Sequence, residues 1–458
     1  MSQEQKPGHV QWSSPTIFVL AATGSVIGLG NIWKFPSLVA SNGGGAFLLV
    51  YLLCLATIGI PLMMAELLMG RRARRSPIHA MRYLAEEAGR HRIWQVVGGL
   101  GILVGFLLLS YYSVIAGWSL AYVTYAAEGM FVGRPPQAVA GLFGSLVSSP
   151  ELLLLWHTLL MASTMWVAAR GVRSGLEQAI RYAVPGLFAV LLLMVGFAMN
   201  TNEFERGVAS LFVPNIGMLS LNGVLMAMEY AFFTLAVATG AIMVYGTYLP
   251  KEVSIIKATV VVAGADTLVS LLVGMAIFPL LFTKGIEPTA GPLLAYQTLP
   301  IVFGQLPHGT LFGTLFFLLL VLAAWTTLIS LTEPAVAWLV ESLDISRRKA
   351  AWWVGTGAWL LGVGTVLSFN LWSEEPYLLF GKTFFYRLDY LTSNIMIPAG
   401  GLLLALFAGW RMRPGSAAEE LGLENGILFR SWHFLVRFAV PTAVSVILLR
   451  ATGVIHFE

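Results

Sequence analysis

The sequence is poor in the residues that water-soluble catalytic domains rely on. Charged residues fill only 11% of its 458 positions, against roughly 25% in a soluble globular domain, so a set of water-facing domains is excluded. There is one cysteine, Cys54 in an apolar run, which excludes an intrachain disulfide and a cysteine-based metal cluster. The histidines at positions 9, 79, 91, 157, 308, 433 and 456 show no metal-ligand spacing, and Asp266 has no evident nucleophile beside it. An enzyme is therefore not expected. The first dozen residues are polar, and Pro15 and several glycines fall where a cleavable signal would need an apolar core, so none is expected.

What is present is hydrophobic: 57% of the chain, with mean hydropathy +0.78. Long apolar runs at 100–109, 152–169 and 311–324 favour membrane helices over the weak alternation of a barrel. About 11 transmembrane helices are expected, the first near 15–40 and the last near 434–450, in an all-α membrane protein. With the N-terminus cytoplasmic, the inner loops hold Arg71, Arg72, Arg74 and Arg75, then Arg170 and Arg173, Lys251 and Lys257, Arg347, Arg348 and Lys349, and Arg411 and Arg413. The outer loops hold Glu203, Glu205, Glu287, Glu374 and Glu375. This asymmetry follows the positive-inside rule and, with an odd count, puts the C-terminus outside. The net charge of +4 therefore reports topology and not a nucleic-acid surface. The Gly- and Pro-rich stretches 127–150 and 283–309 read as long outer loops, the second as a lid. Segment 412–433 reads either as a short interfacial helix or as a connector.

Two spans are interrupted. Gly24, Gly28 and Gly30 lead to Asn31 within the first, and Ala236 to Gly240 lie within the sixth. Glycines alone serve close helix packing, but a buried amide such as Asn31 needs polar partners at membrane depth. Five spans separate the interruptions, an odd offset that gives two five-helix halves opposite orientations, the inverted-repeat plan of many secondary transporters.

The stretch from Gly24 to Phe35 with Pro36, the run Asn42 to Phe47, Gly59-Ile60-Pro61 followed by Glu66, Tyr111-Tyr112, Ala231 to Leu235, Thr326-Thr327 and Asp389-Tyr390 together resemble the neurotransmitter:sodium symporter family, in its bacterial amino-acid branch. The resemblance covers essentially the whole chain. It implies one transporter domain over 1–458, with broken helices 1 and 6, inverted repeats at approximately 12–200 and 215–411, and an additional C-terminal helix near 434–450. An unwound helix exposes backbone groups at the bilayer midplane, so half-helix N-termini can hold a carboxylate and freed carbonyls a small cation.

By the same resemblance Val26 borders the substrate, whose carboxylate meets the amides near Leu29 and Gly30 and the hydroxyl of Tyr112, a residue that would otherwise pass for a packing aromatic. The side chain is lined by Ser25, Leu108, Phe233, Ala236, Thr239, Thr327, Leu328 and Leu331. Two sodium sites are implied, since sodium takes hard oxygen ligands. The first uses the Val26 carbonyl, Asn31, Thr234, Asp266 and the substrate carboxylate. The second uses the carbonyls of Gly24, Ile27 and Ala323 with the hydroxyls of Thr326 and Thr327, although threonines in helices often bond back to their own carbonyls. Asp266 stands where relatives have an amide, and Tyr230 where chloride-dependent members have Gln, so a fixed carboxylate is expected to replace chloride. Lys34 and Asp389 match the outer gate, and Trp12, Tyr248 and Glu341 the inner one, with the expected N-terminal arginine replaced around His9 and Lys6. Glu66, Glu229 and Glu333 have only partial roles in this reading.

Gly28 occupies the position that is Asp in members carrying amines without a carboxylate, so amino acids are expected. No lining residue is charged, which implies a neutral side chain and leaves leucine-like and aromatic substrates both open. The function implied is sodium-coupled, chloride-independent import of neutral, hydrophobic or aromatic L-amino acids by alternating access across a bacterial inner membrane, in contact with lipid. A proton-coupled or exchange-type carrier on the same fold is the alternative, and a non-transporting sensor a more distant one.

Overall fold

The computed structural model describes residues 11–286, 291–423 and 426–455. Among them the chain is almost wholly helical, with extended pairing limited to two isolated bridges, Gly44 with Pro214 and Leu379 with Lys382. Eighteen helices follow in order: α1 Pro15–Val26, α2 Leu29–Ser41, α3 Gly45–Ala73, α4 Pro77–Glu87, α5 Arg92–Ala127, α6 Pro136–Val147, α7 Pro150–Ala169, α8 Val172–Ala198 and α9 Phe204–Phe212. They continue with α10 Leu221–Phe233, α11 Ala241–Thr247, α12 Ile255–Phe282, α13 Leu294–Gly304, α14 Gly309–Leu343, α15 Arg347–Leu367, α16 Phe384–Arg411, α17 Pro414–Leu421 and α18 Ile427–Ala451.

Nine of these are long and apolar enough to cross a bilayer, and α1 with α2 makes a tenth span, bent by 61°. The half-helices α10 and α11, separated by 234–240, fill the eleventh. This is an all-α membrane fold with first and sixth spans broken. In lipid each backbone amide must be satisfied within its own helix or by protein around it, so a break is tolerated only where neighbours enclose it. Here α1 packs on α8, α12 and α14, α11 lies along α3, and α5 and α14 form the most extensive pair beside them.

Local sequence sets the helix starts. Ser14 accepts a hydrogen bond from the Ile17 amide (3.2 Å) and Pro15 opens α1, a capped N-terminus with proline where its missing N–H costs nothing. Prolines likewise begin α4, α6, α7 and α17. The two expected outer loops are in fact partly helical: 127–150 contains α6, opened by Pro136, and 283–309 contains α13, which continues through Pro300 and whose Tyr296 is fully buried against Trp118 and Tyr122. The last span starts at Ile427 and not near 434, and 412–433 divides into α17 and the first turns of α18. Arg71 of α3 pins α17 by a buried ion pair with Glu420 and bonds to the Glu420 and Val253 carbonyls.

Candidate functional site

The break in the first span is local chemistry. Ile27 turns to extended backbone (ψ 109°) and Gly28 follows. The Asn31 Oδ1 accepts the Gly28 amide (2.9 Å), and the Asn31 amide donates back to the Gly28 carbonyl (3.2 Å). A Cβ on Gly24 would lie 2.8 Å from Val184 and 3.3 Å from Thr326 Cβ, and one on Gly28 3.0 Å from the Tyr112 hydroxyl. These glycines let α1 and α2 meet at that distance from α5, α8 and α14.

The sixth-span break is held differently. Ala236, Ala238 and Gly240 all have left-handed φ, at 51°, 63° and 77°, of which the two alanines carry strain of about 1–3 kcal/mol each. The Ala238 amide donates to Glu66 of α3 (2.9 Å), and the Thr239 hydroxyl to the Ala236 carbonyl (2.7 Å). Glu66, fully buried, thus props the break open. Gly105 of α5 makes room on the other side: its Cβ would stand 2.9 Å from the Thr239 carbonyl and 3.4 Å from that of Leu331.

Asp266 joins the two breaks. It is fully buried, and its oxygens accept from Asn31 Nδ2 (2.7 Å) and the Thr234 hydroxyl (2.6 Å). Asn31 Nδ2 also donates to Ser270 (2.9 Å), one turn after Asp266 on α12. An ionised carboxylate held in the interior by neutral donors gains most from a nearby cation. A second oxygen cluster lies at the end of α1: the Thr327 hydroxyl is 3.1 Å from the Ile27 carbonyl and 3.0 Å from that of Ala323, which the Thr326 hydroxyl also approaches to 3.0 Å. Carbonyls in the last turn of a helix, here those of Gly24 and Val26, lack intrahelical partners and carry the negative end of its dipole.

The opposite end of the break is electropositive. The Leu29 amide donates to the Tyr112 hydroxyl (3.0 Å), and a Cβ on Gly30 would meet no atom of a neighbouring element within 4 Å. Around this point Ser25, Thr239, Leu328 and Leu331 are buried, while Leu108, Phe233 and Ala236 are half-buried. No charged side chain is among them.

The model of the sodium:neurotransmitter symporter family matches residues 9–130 and 147–370. The chain belongs to this family. An uncharacterized sodium-dependent transporter of Bacillus subtilis, YhdH, is 38% identical over 457 residues, 99% of this chain and 100% of that protein. One from Haemophilus influenzae is 32% identical over 445 residues, 96% of this chain and 97% of that protein. The crystal structure of MhsT in complex with L-phenylalanine matches with TM-score 0.86 and 37% identity, covering 97% of this chain and 100% of that one. The symporter is thus a sodium-dependent, multi-pass membrane transporter and not an enzyme.

The pairings at the residues expected to form gates differ from the sequence expectation. Lys34 and Asp389 are not paired: Lys34 reaches Glu229 (3.4 Å), which is also bound by Arg450 of α18 (3.3 Å), and Asp389 accepts from Tyr111 and Ser393 (both 3.1 Å). Lysine, a point charge on a flexible stem, goes to the carboxylate one helix nearer. On the other face of the symporter Trp12 is buried, its indole donating to the Tyr245 carbonyl (3.2 Å) and its amide to that of Tyr248 (3.1 Å). Glu341 does not join them; it accepts the Ser76 amide (2.7 Å) and lies 3.3 Å from His79. Glu333 takes that place, accepting from the Tyr248 hydroxyl (2.7 Å) and forming an ion pair with Arg347 (2.5 Å). His9 and Lys6 lie outside the described residues. Ser270, Gly105 and Arg450 are not singled out by sequence, and Arg347 only as an inner-loop charge, although Ser270 follows Asp266 at helical spacing and Gly98, Gly101 and Gly105 form a small-residue stripe.

Proposed function

We propose that the symporter couples two sodium ions to the uptake of neutral, hydrophobic or aromatic L-amino acids, without chloride, across a bacterial inner membrane with its N-terminus cytoplasmic. The observation that carries this reading is Asp266, buried between the two helix breaks and bonded to Asn31 and Thr234. It offers the fixed negative charge that a sodium ion at Asn31, Thr234 and the Val26 carbonyl needs, which makes an anion superfluous. The substrate carboxylate completes this site while held by the Leu29 and Gly30 amides and Tyr112. The carbonyls of Gly24, Ile27 and Ala323 with Thr326 and Thr327 hold the second ion.

The uncharged lining favours a neutral side chain, in keeping with the L-phenylalanine of the MhsT structure. Trp12 and Glu333 close one face and Lys34 guards the other, as alternating access requires. Uptake of radiolabelled amino acids into proteoliposomes, with a sodium gradient, a proton gradient or neither, tests the reading. Uptake driven by protons alone would replace it with the proton-coupled alternative.

A further inference from the structure

Between the end of α7, the start of α8 and the middle of α14 lies a groove of about 380 Å³ on the outside of the bundle. Its walls are aromatic and aliphatic, from Trp166, Tyr182, Leu322 and Trp325, with Arg170 and Gln178 at one end. Trp166 and Tyr182 are exposed (54% and 71%) although both helices belong to membrane spans. The Arg170 guanidinium stacks on the Trp166 ring, 3.6 Å from its centroid, and among the described residues forms no ion pair. The indole N–H of Trp325 is buried without a hydrogen-bond partner.

The charge on this wall has one sign. Arg170, Arg173 and Arg181 are exposed, whereas the one acid between 166 and 186, Glu177, is buried and accepts the Ser13 amide (2.8 Å). A ligand that matches has one anionic head and a long apolar body. We propose that this groove binds an anionic glycerophospholipid, its phosphate on Arg170 and an acyl chain along Leu322 and Trp325. Aromatic and basic residues at a helix end suit the headgroup level of a bilayer, where anionic lipid is recognised by guanidinium groups. The groove also lies next to the second oxygen cluster, since the carbonyl of its Leu322 accepts the Thr326 hydroxyl (3.1 Å).

Native mass spectrometry of the full chain in mild detergent tests this, with phosphatidylglycerol and phosphatidylcholine of identical acyl chains. The protein should retain phosphatidylglycerol about fivefold better, the preference one basic residue confers. Arg170→Gln should abolish that preference, and Arg173→Gln, whose guanidinium bonds to the Gln11 carbonyl, should keep it. Leu322→Trp, which fills the apolar end and leaves Arg170 intact, should lower retention of phosphatidylglycerol, and so covers the case of an unstable Arg170 variant. Equal retention of the two lipids by the unaltered protein, undiminished preference in Arg170→Gln, or undiminished retention in Leu322→Trp would overturn the assignment. Displacement by an equal concentration of glycerol 3-phosphate would also overturn it, in favour of a soluble anion.

Discussion

Asp266→Asn should make the protein less responsive to sodium and at the same time no less stable without it. The carboxylate is fully buried and accepts two hydrogen bonds, from Asn31 (2.7 Å) and Thr234 (2.6 Å). The carboxamide has the same shape but turns an N–H₂ towards one of those donors. The Thr234 hydroxyl can turn to accept from that group, so what the variant loses is the fixed negative charge facing the ion, and a loss of about 1–3 kcal/mol in the sodium-bound state corresponds to roughly 5- to 150-fold in affinity. In sodium-free buffer the balance reverses, because the buried negative charge, costly when no cation faces it, is gone. Melting temperature in choline chloride and in sodium chloride reads both effects. A saturating ligand at 100 times its Kd adds about 2.7 kcal/mol of stability, so the unaltered protein should rise steeply with sodium and the variant only slightly, the two curves crossing. Uptake should follow: unchanged by gluconate in the unaltered protein, chloride-stimulated in the variant. Parallel melting curves, or loss of uptake by the unaltered protein in gluconate, would refute the charge argument.

Sodium and substrate should each tighten the other's binding by about 5- to 150-fold, because the first site shares the substrate carboxylate; isothermal titration of substrate at low and high sodium measures this, and equal affinities contradict a shared site. Thr327→Ala should weaken sodium dependence and leave the ranking of amino acids unchanged in competition uptake, whereas changes at Thr239 should reorder it. Gly28→Ala puts a methyl 3.0 Å from the Tyr112 hydroxyl and should depress substrate affinity far more than melting temperature. Glu333→Gln strips the charged partner from the half-buried Arg347, a loss of about 1–3 kcal/mol, and should lower the melting temperature by several degrees while uptake becomes leaky; an unchanged melting temperature would dissociate this pair from closure.

The sequence carries the spans and the breaks because each leaves a mark along the chain. Apolar runs mark lipid, and Gly24, Gly28, Gly30 and Asn31 mark a helix that cannot continue. Asp266 stands out because a carboxylate in an apolar run has no local partner. Long ionic side chains leave no such mark: whether Lys34 meets Asp389 or Glu229, and whether Glu341 or Glu333 faces Tyr248, depends on how α2, α10, α14 and α16 approach in space. The helices α6 and α13 read as loops because proline and glycine pass for breakers, whereas here Pro136 stands at the first turn of α6 and Pro300 follows a widened turn inside α13. Glu66 is visible as an intramembrane acid, but its task at the Ala238 amide follows only from the left-handed backbone of the sixth span, which no residue type there announces.

The contact of Arg450 with Glu229 has a practical side. The helix α18 lies outside the two sets of five spans, yet its last turn steadies the acid that holds Lys34, and the Tyr390 hydroxyl bonds to the Ala451 carbonyl (2.7 Å). Tags, reporters or fused domains joined close to residue 451 therefore pull on the Glu229–Lys34 pair and not on a passive tail. Assays that read Lys34 and Glu229 are best run with a long flexible linker at this end, and a chain shortened to residue 440 would remove Arg450 and leave Glu229 to Lys34 alone.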